Sequence, residues 1–341
     1  MDDDISKGLG GLMGVLSPDQ ERVEQQKARN EVAKKLGLSH IPNPGEIAPD
    51  ESDKAFTESI YKVPPLNIPK IDSEEFFKIR SQFLKEYYDI EVDNKELQKE
   101  LSKLNNADKY DEIHLWFEYD LFCHINLMAV VSLLQQKNNK TPLYLVSSGR
   151  IKGENDLKGL SELSATQLLN HFEEKIKLSE ADIDLLVTLW KTYCGKDHNL
   201  FKPYITKKSP FKYLSNCLKA HLRRFPDSKT GLSVLETNIL EIVKKYPIKS
   251  RQHLLGYALN YQGYYGFGDI QLMRMIEKLS IFFDENQEGI TLNRKGHEAL
   301  LGQYNFSTEL NNNMPFGGVN KFDFHFNEDQ NKLIKTNINA Y

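Results

Sequence analysis

Residues 111–134 read DEIHLWFEYDLFCHINLMAVVSLL, and this stretch decides the predicted fold. Alternate side chains of an extended chain point to opposite faces, so 112–118 presents two sets: Ile113, Leu115 and Phe117 on one face, and His114, Trp116 and Glu118 on the other. The next residues, 121–134, are apolar on most sides, which is typical of a buried helix. The stretch therefore predicts a buried strand that runs directly into a buried helix.

A second strand is predicted at 142–146, where Pro-Leu-Tyr-Leu-Val follows that helix. A strand, helix, strand order implies that the two strands are parallel, because the crossing helix returns the chain to the same end of the sheet. We therefore expect an α/β or α+β fold with a small, mostly parallel sheet and a helical middle region.

The chain of 341 residues, 40% hydrophobic, is long enough for two domains or one large domain with attachments. We predict four parts from shifts in composition. These are a flexible extension with a proline-rich linker at 1–70, an α/β and helical domain at 71–230, a winged-helix-like unit at 231–303, and an asparagine-rich tail at 304–341. Within the tail, the alternating residues 322–326 predict a possible edge strand.

The prediction of a winged-helix-like unit rests on the order of its signals. A capping box at Ser233–Glu236 begins one helix, Ser250 begins a second and Asp269 begins a third. Two short apolar segments at 281–283 and 290–292, separated by a polar turn, then predict a two-stranded wing.

Composition excludes several classes of function. A formal net charge of -4 gives the chain no overall attraction to phosphate backbones or to anionic membranes. Three distant cysteines favour neither a disulfide framework nor a zinc knuckle, and no apolar run is long enough to span a membrane. The acidic start, Met1–Asp4, lacks the basic region of a signal peptide, so we expect a cytoplasmic protein.

The candidate catalytic residues are Glu118 and Asp120, at the point where the predicted strand ends. Ligands of open α/β sheets bind at the carboxyl ends of the strands, and a carboxylate there can act as a general base or accept a hydroxyl. Trp116 would form a stacking wall, and His114 shares its face. Two structural alternatives remain open, because Asp120 is well placed as a helix N-cap and Glu118 could form a structural ion pair.

Further ligand contacts are predicted at His124 and Asn126, in the first turns of the helix. His221 and Arg224, near a helix end, could bind an anion, although basic residues there also complement the helix dipole. We predict no metal site, since no cluster has a convincing ligand spacing. The sequence does not indicate a cofactor.

Three segments carry a resemblance to a known family. The run 115–126, Leu-Trp-Phe-Glu-Tyr-Asp-Leu-Phe-Cys-His-Ile-Asn, resembles the bacterial family catalogued as domain of unknown function 1835, and the segments 220–226 and 263–269 support the likeness. The likeness covers about 73–326. The family usually begins with an Asn-Gly-Asp turn and a Trp-Arg-Glu motif, and 1–70 stands in their place. The resemblance implies no particular activity, because the family has none agreed.

These observations favour an enzyme or binding protein for a nucleotide-like or other anionic small molecule. An alternative is an interaction protein that docks on a protein partner through 1–70. A second alternative is a winged-helix nucleic-acid binder, but 232–303 has as many acidic as basic residues, so nucleic-acid binding is the weakest of the three.

Overall fold

A computed structural model describes residues 70–154 and 156–336. The predicted extension and its docking function therefore lie outside the described residues, apart from Lys70. Within the described ranges, no helix is both long and apolar enough to cross a membrane.

Helices make up most of the described chain. The α-helices are α1 (Glu74–Tyr88), α2 (Asn94–Ser102), α3 (Leu121–Gln136), α4 (Ala165–Glu173), α5 (Glu180–Tyr193), α6 (Lys202–Ile205), α7 (Leu214–Leu222), α8 (Val234–Lys245), α9 (Arg251–Tyr261), α10 (Asp269–Lys278), α11 (Arg294–Leu300) and α12 (Ser307–Leu310). The strands are β1 (Ile113–Phe117), β2 (Leu143–Ser147), β3 (Gly149–Arg150), β4 (Leu157–Lys158), β5 (Ile176–Lys177), β6 (Phe283–Asn286), β7 (Gly289–Leu292), β8 (Pro315–Phe316), β9 (Val319–Asn320), β10 (Phe324–Asn327) and β11 (Lys332–Lys335). Short 3-10 turns, among them Leu160–Glu162, link some of these elements.

The predicted parallel pair is confirmed. β1 pairs with β2 in parallel, with Ile113 opposite Leu143 and Phe117 opposite Ser147. β5 pairs antiparallel to the other side of β2, which gives a three-stranded sheet in the order β1-β2-β5. The other sheets are two-stranded, so the protein has an α/β or α+β fold with small mixed sheets.

The strand-to-helix junction forms as the sequence pattern predicts. Leu115 is buried in the main core, and α3 packs against α5 with most of its side chains buried. A helix that is apolar on nearly all sides needs neighbours on all sides, and α3 also contacts α7 and β1. The junction between β1 and α3 is therefore fixed by packing on both elements.

The C-terminal unit has the element order expected from the sequence. Three helices, α8, α9 and α10, are followed by the antiparallel hairpin β6-β7, and a single bridge joins Ile248 to Ile290. Ser233 caps α8 in a capping box with Glu236, and Ser250 caps α9. The assignment of this unit to the winged-helix class stays a prediction.

The tail packs back on the domain. The predicted strand near 322–326 is β10, but it forms a hairpin with β11 rather than extending the sheet that contains β1. The buried Lys321 ammonium donates to Glu236 Oε1 at 2.6 Å, and Asn312 donates to the same oxygen. These bonds attach the tail to α8.

Candidate functional site

A cleft of about 1060 Å³ opens beside the carboxyl end of β1. Four elements border it: the end of β1 with the start of α3, the segment from β3 to the 3-10 turn Leu160–Glu162, the end of α9 with the glycine-rich loop that follows, and one face of α2. Its polar lining residues are Glu118, Tyr119, Asp120, Cys123, Asn126, Arg150, Asp156, Ser161, Glu162, Asn260 and Gln262. The cleft therefore lies where the sequence predicts a ligand site.

Glu118 is fixed by a hydrogen bond across the cleft. Its Oε1 accepts from the backbone N–H of Leu160 at 2.7 Å, in the first residue of the 3-10 turn. The approach is close, because a Cβ placed on Gly159 would lie 2.8 Å from the same oxygen. Its carboxylate therefore caps the turn Leu160–Glu162, and the ion pair considered for Glu118 stays a prediction.

Asp120 is both a helix cap and part of the cleft wall. Its Oδ1 accepts from the backbone N–H of Cys123 at 2.7 Å, which confirms the N-cap alternative. Gly266, with φ of +71°, packs so closely against the Asp120 carboxyl group that any Cβ there would overlap it. The glycine-rich loop 263–269 is thereby held against the start of α3.

The cleft is acidic. Glu118, Asp120, Asp156 and Glu162 line it, whereas Arg150 is the one lysine or arginine among the described lining residues. Tyr119, which lies between Glu118 and Asp120 in the sequence, is affected by these acids. Burial and, after it, the charges of Asp120, Glu162 and Glu118 raise the pKa of Tyr119 to about 12. Among the described lining residues, carboxylates therefore outnumber lysine and arginine side chains by four to one.

Three side chains in the cleft could together hold a metal ion, which the sequence did not predict. One ligand atom each from Glu118, Asp120 and Cys123 lies within 4.8 Å of the others. Two carboxylates and a thiolate are a donor set that suits Zn²⁺. Without a metal, burial and the charges of Asp120 and Glu118 raise the pKa of the Cys123 thiol well above its usual value, so the group is neutral.

Trp116 and His114 have different surroundings despite sharing a face. Trp116 lines the cleft and stacks on Phe172, with ring centroids 6.0 Å apart. His114 does not line the cleft; its Nε2 lies 2.9 Å from Glu112 Oε1 and 3.1 Å from Lys175 Nζ. The structure therefore keeps Trp116 as a wall of the cleft and places His114 in a polar cluster at the sheet surface.

The two predicted contacts on α3 also separate. Asn126 lines the cleft. His124 points away into the core, where its Nδ1 lies 2.8 Å from the carbonyl oxygen of Asp120 and 3.4 Å from Cys217 Sγ. Burial lowers the pKa of His124 to about 4, so its imidazole is neutral and structural. Residues 124 and 126 are about 200° apart around a helix, which explains the difference.

His221 and Arg224 do not join the cleft. His221 is buried, and its Nε2 contacts His198 Nδ1 at 2.9 Å within an aromatic cluster. Arg224 is also buried, with its guanidinium 4.0 Å from the ring centroid of Phe316. Neither residue is among the lining residues, so the predicted anion contacts are not beside Glu118. The tail covers Arg224, since Phe316 lies against its guanidinium group.

Several cleft residues that the sequence did not predict lie in loops or at the ends of elements. Asp156 and Glu162 lie around β4 and the 3-10 turn, and Asn260 and Gln262 lie at the end of α9. These residues belong to no motif and show no periodicity. The glycine spacing at 263–269 was the one signal near them, since positive φ at Gly263 and Gly266 marks a tight loop.

A comparison of the chain with family models, with curated proteins and with solved structures finds no match, and the resemblance to the bacterial family stays a prediction.

Proposed function

We propose that the cleft beside Glu118 binds a small organic cation, such as an amine or a guanidinium compound. The observation that carries the proposal is the charge of the lining, in which four carboxylates face one arginine. A cation entering such a cleft is attracted by each carboxylate, and the partly apolar walls weaken the screening by water.

The same charges oppose the ligand class expected from the sequence. Among the described lining residues, a nucleotide or another free anion would meet Glu118, Asp120, Asp156 and Glu162, and Arg150 as the one lysine or arginine. His221 and Arg224, which were expected to supply the anion contacts, are buried elsewhere. We therefore retain the small-molecule site predicted at the end of β1, but we propose a cationic ligand in place of an anionic one.

Aromatic side chains add a second reason for a cation. Trp116, Tyr119 and Phe267 line the cleft together with the acids. A cation placed over an aromatic face gains about 0.5–2 kcal/mol, most of all over tryptophan. Carboxylates beside aromatic rings are thus suited to ammonium and guanidinium groups.

Glu118 and Asp120 serve in this proposal as ligand carboxylates rather than as acid and base catalysts. Each accepts a backbone N–H bond, at 2.7 Å in both cases, and such a donor stabilises the ionised form of a carboxylate. These bonds hold the two carboxylates in the wall of the cleft, where an ammonium or guanidinium group can contact them.

A second candidate ligand is a divalent metal ion held by Glu118, Asp120 and Cys123. The closeness of the three donor atoms, within 4.8 Å of one another, favours it. Binding would require the neutral Cys123 thiol to lose its proton, as metal binding to cysteine generally does.

A thermal-shift panel separates these ligands. Spermidine, agmatine and arginine form one arm, Zn²⁺ and Mn²⁺ a second, and ATP without metal a third. A ligand at a hundred times its dissociation constant stabilises the folded state by about 2.7 kcal/mol, so binding appears as a raised melting temperature. We expect a shift in the first arm that is lost in the variant Asp156→Asn/Glu162→Gln and kept in the control Glu277→Gln. A shift with ATP alone, and none with the amines, would reject the proposal.

A further inference from the structure

A cluster of tyrosines on the C-terminal unit has no part in the cleft proposal. Tyr246, Tyr257 and Tyr261 have near-parallel rings, with interplanar angles of 13–29° and centroids 4.9–6.3 Å apart. Tyr246 is 37% exposed and Tyr261 is 57% exposed. A hydrogen bond to Tyr246 raises the pKa of Tyr261. The three rings form a partly exposed aromatic surface, which we call the tyrosine platform.

Positive charge borders the tyrosine platform. The segment 244–251, Lys-Lys-Tyr-Pro-Ile-Lys-Ser-Arg, contains four cations and no acidic residue. Glu241 pairs with Lys244 and Lys245, at 3.8 and 3.5 Å, and Glu285 pairs with Arg251. These side chains are substantially exposed, and exposed pairs of this kind are screened by salt and contribute little. The lysines can therefore exchange their partners for an anionic ligand at low cost.

We propose that the tyrosine platform binds single-stranded nucleic acid. Bases stack on flat aromatic faces without regard to sequence, and flanking cations track the phosphate backbone. The chain's overall negative charge does not oppose this, because the cations are concentrated at one place.

The test is fluorescence anisotropy with labelled 20-nucleotide oligo(dT) and oligo(U), together with a 20-base-pair duplex, over a series of salt concentrations. We expect binding to the single strands that weakens about tenfold in each of Tyr257→Ala and Tyr261→Ala. The exposed Tyr110, on a different element, supplies the control Tyr110→Ala, which should bind as the wild type does. Lys249→Ala should reduce the slope of log K against log salt by about 0.7, the value for one phosphate contact.

The proposal is overturned if neither single strand binds, if the duplex binds as tightly as the single strands, or if binding persists unchanged in the tyrosine variants. Binding of poly-aspartate equal to that of the oligonucleotides would also overturn it, since that would assign the face to acidic peptides.

Discussion

Glu118 Oε1 and the backbone nitrogen of Leu160 lie 2.7 Å apart, so the last side chain of the strand region caps a turn that is 42 residues further along the chain. This bond joins the end of β1 to the loop that carries Asp156 and Glu162. The bond is thus a polar link between the two parts of the chain that supply acids to the cleft, the end of β1 and the loop 156–162. Glu118 therefore contributes to the acidic cleft in two ways: it supplies a carboxylate, and it bonds to the loop that carries Asp156 and Glu162.

The first prediction concerns this bond. Glu118→Ala removes the acceptor and leaves a part-buried N–H without its partner, so it should lower the free energy of unfolding by about 1–3 kcal/mol. Glu118→Gln keeps an acceptor oxygen and should cost less than about 1 kcal/mol. Urea denaturation followed by circular dichroism measures both. Equal losses in the two variants would mean that the bond to Leu160 does not hold the loop.

The second prediction concerns the close approach of the glycine-rich loop to Asp120. Gly263 and Gly266 both have positive φ, +68° and +71°, but only a Cβ at Gly266 would meet other atoms, those of the Asp120 carboxyl group. Gly263→Ala should therefore cost only the backbone strain, about 1 kcal/mol, and Gly266→Ala should cost a further 1–3 kcal/mol, roughly, for the overlap. Thermal unfolding of the two variants gives the comparison directly. Similar melting temperatures would contradict the packing described.

The third prediction is a loss of stability in mild acid. Burial lowers the pKa of His198 to about 4 and the pKa of its partner His221 well below its usual value. An unfolded histidine takes up a proton near pH 6.5 while the folded one does not, so the free energy of unfolding falls as pH decreases from 6.5 toward 4. His198 should account for a loss of about 2 kcal/mol at pH 5.2, and His221 should add a loss of the same sign.

Urea denaturation at pH 7 and pH 5.2 checks this. The difference between the two pH values should shrink in His198→Gln, which removes one titrating group, and should persist in His253→Gln, whose imidazole lies on α9 outside the aromatic cluster. An identical difference in wild type and His198→Gln would contradict the prediction.

The fourth prediction concerns the buried pair of Glu236 and Lys321, which are 0% and 2% exposed. Burial opposes charge on the Glu236 carboxyl, but Lys321 and the hydrogen bonds with Ser233 together outweigh it and lower the pKa of Glu236. Lys321→Met leaves the carboxylate buried without its cation and should cost about 3–5 kcal/mol. Lys321→Met/Glu236→Gln should recover part of that loss in a denaturant titration. If the double variant is no more stable than Lys321→Met, the pair is not the source of the loss.

The elements nearest the cleft could be predicted from the sequence because their patterns are complete within short segments. The alternation at 112–118 and the apolar helix after it fix β1 and α3, and the strand that follows had to pair in parallel. Asp120 is recognisable as an N-cap from the following run alone. Elements that are determined by local sequence patterns could therefore be predicted.

The charge of the cleft could not be predicted, because it is assembled across distant loops. Asp156 and Glu162 lie in irregular segments, and their position depends on the bond between Glu118 and Leu160. The prediction that Arg224 contacts an anion in the cleft was wrong for a related reason. Its local sequence is typical of an exposed helix end, but Phe316, more than 90 residues further along the chain, covers it. Long-range packing decides both cases.

The central claim is that the cleft binds cations through its carboxylates, and isothermal titration with spermidine tests it most directly. The proteins compared are the wild type, Glu118→Gln/Glu162→Gln in the cleft, and Glu277→Gln/Glu328→Gln, which removes the same charge at exposed positions outside it. Losing two attractions of about 1 kcal/mol each should weaken binding roughly thirtyfold in the cleft variant. The surface variant should match the wild type. Equal affinities in all three proteins, or no heat of binding in the wild type, would contradict the claim.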